Sequence, residues 1–183
     1  LDGATVTASL ITGASDRALS VGGGYIYWAT GGGVARSDMN GANVVPNFVT
    51  GLTEITNVLV AGNFVYFSSA YVSPTDSIGR VNLDGTDLRP NFITNIQGGD
   101  DLATDGTYLY WNEFMTNSIG RMKLDGTGAV NHTFLNGIAK NSGGLTVTSS
   151  YIFWTNYDDK TIGRINIDGS TGLQQNLIRS EER

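Results

Sequence analysis

The sequence predicts an all-β fold, a β-propeller built from four-stranded antiparallel blades, and three observations carry the prediction. First, one passage is written four times. Tyr25-Ile26-Tyr27-Trp28, Phe64-Val65-Tyr66-Phe67, Tyr108-Leu109-Tyr110-Trp111 and Tyr151-Ile152-Phe153-Trp154 are one motif. Each is followed by a second motif, Val34-Ala35-Arg36, Ile78-Gly79-Arg80, Ile119-Gly120-Arg121 or Ile162-Gly163-Arg164. Second, each copy runs into a tight turn, at Asn40-Gly41, Asp84-Gly85, Asp125-Gly126 or Asp168-Gly169. Third, the aromatic positions recur at 39, 44 and 43 residues (Trp28, Phe67, Trp111, Trp154), the period of a propeller blade.

The elements follow in order along each copy, and the third shows them most plainly. Asp101-Leu102-Ala103-Thr104 is a short half-apolar strand that stops at Asp105-Gly106, a hairpin signal because glycine accepts positive φ. Tyr108 to Trp111 carries apolar side chains at both parities, so it is buried on both faces. A polar loop, Asn112 to Ser118, precedes a third strand over Ile119 to Leu124, and a fourth ends in Phe134-Leu135. No run suits a helix. Four such strands cannot cover two apolar faces alone, so the copies must stack on one another.

The expected organisation is one repeat domain, 1–183, with a lone outer strand at 1–13 and blades at about 14–51, 52–95, 96–137 and 138–180. Fourth-strand endings at Leu10-Ile11, Phe48-Val49, Phe92-Ile93, Phe134-Leu135 and Leu177-Ile178 number five against four aromatic motifs. The surplus strand has three readings. The chain is a piece of a longer propeller; or the strand pairs with a neighbouring chain and links subunits; or four blades close and the strand is a lateral addition. Leu1 lies inside a repeat motif, so the chain is expected to be processed or excised from a longer precursor.

The 183 residues are 40% hydrophobic and 15% charged, with net charge −6. That balance, with scattered Lys and Arg, excludes a nucleic-acid backbone binder. There is no cysteine, hence no disulfide, thiol nucleophile or thiolate metal site. No stretch approaches the ~18 apolar residues of a membrane span.

Tyr-Trp followed by Ile-Gly-Arg and Leu-Asp-Gly-Thr resembles the YWTD β-propeller repeat of the low-density-lipoprotein-receptor type. The likeness is closest to bacterial secreted versions, here Ile78-Gly79-Arg80-Val81-Asn82-Leu83-Asp84-Gly85-Thr86. The fourth motif position is Thr30, Ser69, Glu113 or Asn156, never the family's aspartate. The resemblance implies an extracellular or cell-surface binding module or scaffold for protein or glycan partners.

Residues shared by every copy are expected to build the blades: Trp28, Trp111 and Trp154, with Arg36, Arg80, Arg121 and Arg164 anchoring blade to blade by carbonyl bonds or ring stacking. Binding candidates lie where copies differ, in the loops between second and third strands. They are Tyr71, Phe114, Met115 and Tyr157, read either as a binding patch or as rings packed over neighbouring loops. No cofactor is expected. Asp100-Asp101 with Asp105, and Asp158-Asp159, are dense enough to raise calcium, but neither has a calcium-loop spacing. His132 is the only histidine and falls in an outer strand, inside an Asn131-His132-Thr133 glycosylation pattern. With no nucleophile–base pair, the chain is expected not to be an enzyme. The runner-up is a subunit that assembles into an oligomer or filament through its spare N-terminal strand; a propeller lyase or hydrolase stands third.

Overall fold

The computed structural model describes residues 10–11, 14, 17–69, 76–99, 101–138 and 141–179, with backbone only at 141–143 and 179. They form sixteen strands in four antiparallel sheets, each in simple up-and-down order. The first blade holds β1 (Leu19–Gly22), β2 (Tyr25–Thr30), β3 (Gly33–Asp38) and β4 (Val45–Thr50). The second holds β5 (Ile55–Ala61), β6 (Phe64–Ser69), β7 (Ser77–Asn82) and β8 (Arg89–Ile93). The third holds β9 (Leu102–Thr104), β10 (Tyr108–Glu113), β11 (Ser118–Lys123) and β12 (Asn131–Asn136), and the fourth β13 (Asn141–Val147), β14 (Tyr151–Asn156), β15 (Thr161–Asn166) and β16 (Gln174–Arg179). No helix is present among the described residues that could cross a membrane.

The Asp-Gly turns close by side-chain chemistry. Asp84 Oδ1 accepts from the Thr86 amide at 2.9 Å and the Thr86 hydroxyl at 2.6 Å, and Asp125 does the same for Thr127. Gly85 and Gly126 have φ of 91° and 82°, the region where only glycine is unstrained. These turns also lie under the previous blade: a Cβ on Gly126 would meet the Phe92 ring at 3.0 Å, and one on Gly169 the Phe134 ring at 2.7 Å.

A bulge recurs between third and fourth strands, at Val34/Arg36, Ile78/Arg80, Ile119/Arg121 and Ile162/Arg164. The residue in the middle is Ala35, Gly79, Gly120 or Gly163. In the last three blades the aromatic ring of the second strand lies across this glycine. A Cβ there would stand 2.2 Å from the Phe67 ring and 2.3 Å from those of Trp111 and Trp154.

Three apolar clusters hold the arc together, one per junction. Tyr27, Val34 and Val49 meet Val58, Val65 and Phe67; Tyr66, Ile78 and Ile93 meet Leu102, Leu109 and Trp111; Tyr110, Ile119 and Leu135 meet Leu145, Ile152 and Trp154. Each buried Leu, Ile or Val contributes about 1.5–3 kcal/mol relative to exposure. Among the described residues no strand of the fourth blade packs on the first as successive blades pack on each other. Among the described residues the four blades therefore form an open arc.

Most of the lone outer strand at 1–13 lies outside the described residues. Leu10 and Ile11 are described, and Leu10 rests on the first blade's own turn: a Cβ on Gly41 would meet its carbonyl oxygen at 2.7 Å and its Cγ at 3.0 Å. Phe92 and Phe134 hold the same place over Gly126 and Gly169.

Candidate binding face

The four repeated arginines sit in aromatic slots. The Arg36 guanidinium lies 4.5 Å from the Tyr25 ring and 4.6 Å from Phe48, Arg80 lies 4.2 Å from Phe64 and 4.3 Å from Phe92, and Arg121 lies 4.6 Å from Tyr108 and 3.7 Å from Phe134. Among the described residues Arg164 has one ring, Tyr151 at 4.5 Å, and Leu177 stands where the others have phenylalanine. Arg36 Nη1 donates to the Leu83 carbonyl of the next blade at 2.7 Å, and Arg80 Nη1 to the Leu124 carbonyl at 3.4 Å. Tyr27 and Tyr66 hydroxyls donate to the same two carbonyls, at 3.5 and 2.6 Å. Burial raises the pKa of both phenols, partly offset by the neighbouring arginine. Burial also raises that of Tyr110, and the Asp105 carboxylate it donates to pushes it further.

Two of the carboxylates that raised calcium, Asp101 and Asp105, are occupied by donors. Asp101 Oδ1 accepts from Asn57 Nδ2 at 2.6 Å and its Oδ2 from the Leu145 amide at 2.7 Å, so one side chain ties the second, third and fourth blades at their inner strands. Asp105 accepts from the Thr107 and Tyr108 amides and the Tyr110 hydroxyl. Asp100 lies outside the described residues. Among the described residues no three His, Cys, Asp or Glu side chains converge as metal ligands would. The Asp101 tie was missed from the sequence, where the Asp-Asp pair raised only the question of a cation and not amide donors from two neighbouring blades.

His132, on β12, bonds through Nδ1 to Glu113 Oε1 at 2.6 Å. The same Glu113 oxygen accepts from Trp111 Nε1 at 2.8 Å, and the carboxylate is buried. In the fourth blade Asn156 takes this place. Its Oδ1 accepts from Trp154 Nε1 at 2.9 Å and its Nδ2 donates to the Gln175 carbonyl of β16 at 2.7 Å. In the third and fourth blades the fourth motif position thus caps the indole and pins the outer strand, without an aspartate.

The loops between second and third strands share a face with the blade-to-blade connections. The Phe114 amide reaches the Gly98 carbonyl at 3.4 Å and the Met115 amide the Gln97 carbonyl at 3.1 Å. The Phe114 ring packs over Gly98 and is half-buried. Met115 and Tyr157 point outward, 58% and 63% exposed, with Lys160 Nζ 4.8 Å above the Tyr157 ring. Tyr71 lies outside the described residues. Beside Tyr157 and Lys160 a groove of about 330 Å³ runs down to Ile162 and Ile178.

No family model matches this chain, and no curated protein does either. Solved structures do match. A chain of the nidogen/laminin complex, a YWTD-type propeller, aligns with TM-score 0.71 at 17% identity, covering 84% of this chain and 60% of that one. A gluconolactonase from Xanthomonas campestris aligns with TM-score 0.60 at 16% identity, over 81% of this chain and 56% of the other. A streptogramin B lyase aligns with TM-score 0.62 at 19% identity, over 89% and 55%. This chain spans less than two thirds of the length of each. At these identities the likeness establishes the propeller fold. It also corrects one expectation. The absence of a nucleophile–base pair had been read as excluding an enzyme, and that exclusion is overturned because the fold neighbours include a lactonase and a lyase. A fold that carries catalysts on other loops gives no ground for ruling catalysis out.

Proposed function

We propose that this chain is a binding module of the YWTD propeller kind, acting at the cell surface or outside the cell on a protein partner through the loops between second and third strands. The carrying observation is the contrast between repeated and unrepeated apolar residues. Tyr66, Phe67, Tyr110 and Trp111 are buried to the last few per cent, whereas Met115 and Tyr157 are exposed on loops that share a face. Exposed aromatic and methionine side chains on a rigid scaffold are the composition of binding hot spots. The repeated Trp and Arg motifs support kinship with YWTD propellers, and the nidogen neighbour, known from a complex with laminin, supports a protein rather than a glycan partner. The double substitution Met115→Ala with Tyr157→Ala tests this. Against an immobilised panel of extracellular proteins including laminin, it is expected to weaken the strongest interaction by at least about tenfold, with the melting temperature unchanged. Binding that survives the pair of substitutions moves the site elsewhere.

A further inference from the structure

The three internal junctions are one surface pair used three times. A trailing face, formed by Tyr27, Val34 and Val49 or their equivalents, receives a leading face formed by Val58, Val65 and Phe67 or theirs. At the fourth-strand position of the trailing face Val49, Ile93 and Leu135 are at most 5% exposed. The fourth blade carries the same face with nothing over it among the described residues: Ile178 is 54% exposed, and Phe153 and Ile162 are half-buried. Phe153, Ile162, Leu177 and Ile178 line an apolar groove of about 390 Å³ floored by Leu145 and Trp154.

The complementary surface is also on this chain. At the first-strand position of the leading face Val58, Leu102 and Leu145 are at most 7% exposed, and Leu19 of the first blade is 68% exposed; Ile26 is half-buried and Trp28 is 5% exposed, so the opening on this face lies at its first strand. Met39, at the position of Leu83 and Leu124, is exposed too. The polar contact has an equivalent. Arg36 and Arg80 donate to the carbonyls of Leu83 and Leu124, while Arg164 turns to Gln174 Oε1 of its own sheet at 2.8 Å. The carbonyl of Met39 stands where Leu83 and Leu124 offer theirs.

We infer that the trailing face of the fourth blade receives the leading face of the first blade of a second copy, so that two chains close head to tail into a ring of eight blades, within the four to eight that propellers use. The occupant is argued from continuity: each half of the junction is the surface that its equivalents bury three times inside the chain. One residue competes. Leu177 of the second copy needs the place over Gly41 that Leu10 of the first blade's own chain holds. Leu10 therefore weakens the pair, and loosening it strengthens association.

Sedimentation velocity on the full chain between about 1 and 100 µM reads the outcome directly. A species of twice the chain mass is expected. Ile178→Asp and Leu19→Asp should each weaken the pair by more than about a hundredfold, since a charge is placed in a desolvated junction. Both residues are exposed in the single chain, so the melting temperature of the monomer should not change. An equimolar mixture of the two variants should pair again, because each retains the face the other has lost; an isologous dimer would not recover. Leu10→Gly should raise the association constant, whereas an assembly built on N-terminal strand exchange would lose it. A chain that stays monomeric with and without Leu10→Gly overturns the inference, as does association indifferent to Ile178→Asp, or mass climbing past two copies without a plateau. Tyr157 borders the groove that ends at Ile162 and Ile178, whereas Met115 lies on the third blade away from this junction, so loss of partner binding is read separately with Met115→Ala alone.

Discussion

At the scale of single residues the repeat works by exclusion of a Cβ. Gly120 permits the Trp111 ring to lie flat on the neighbouring strand, and a Cβ there would overlap it at 2.3 Å. Gly120→Ala must therefore lift the ring or shift the bulge, an overpacking cost of about 1–3 kcal/mol that a thermal or urea melt will show. The first blade carries Ala35 at this position opposite Trp28, which is 5% exposed although Leu19 beside it is open. Ala35→Gly is accordingly expected to cost less than about 1 kcal/mol, the entropy of a strand glycine. That glycine and tryptophan belong together was visible in the sequence from their recurrence. That they occlude one another was not, because the contact joins two strands through a register only pairing sets.

At the scale of the strand, the fourth motif position of the third and fourth blades couples the second strand to the outer one. Glu113 holds Trp111 Nε1 and His132 at once, and Asn156 holds Trp154 Nε1 and the Gln175 carbonyl. Glu113→Ala leaves a buried indole N–H without an acceptor and frees the start of β12, and the expected loss is about 2–4 kcal/mol of unfolding free energy, read as a lower urea midpoint. His132→Ala keeps the indole bond and should cost about 1–2 kcal/mol. A loss of equal size in both would show that the histidine bond carries the whole effect. The sequence marked Glu113 as the one carboxylate at that position, yet its partner His132 is nineteen residues away, and only the pairing of β11 with β12 brings the two together.

At the scale of the whole molecule, stability is set by junctions, and their charge states give a pH profile. Hydrogen bonds from Thr86, Thr127 and Ser170 lower the pKa of Asp84, Asp125 and Asp168 below the ordinary value of 3.8. A carboxyl whose folded pKa is depressed stabilises above its unfolded value, and that contribution is lost as pH falls through the folded one. At the alkaline end Tyr27, Tyr66 and Tyr110 are raised above 10, so the unfolded chain ionises first. Their contribution is complete below pH 10 and drains as pH rises toward the folded values. The urea midpoint should be flat across neutral pH, fall modestly below 3.8 because the aspartates are exposed, and fall more steeply above 10 because the phenols sit in the junctions. A Tyr66→Phe variant should lose part of the alkaline arm and leave the acid arm unchanged.

The sequence by itself determined the blade. Turn chemistry at Asp-Gly, strands apolar at both parities and a period near that of one blade are local properties, and four copies make them hard to misread. Tertiary structure alone decided how the blades stand together. It spent Asp101 on amide donors from two neighbouring blades instead of a cation, folded Phe114 onto Gly98 while leaving Met115 and Tyr157 outside, and left Leu19 at one end of the arc and Ile178 at the other uncovered. The physical reason is separation along the chain. A turn is fixed by residues two or three apart, but whether Leu19 or Ile178 is covered depends on a blade elsewhere in the chain or on another molecule. A repeat writes the same surface whether or not anything comes to rest on it.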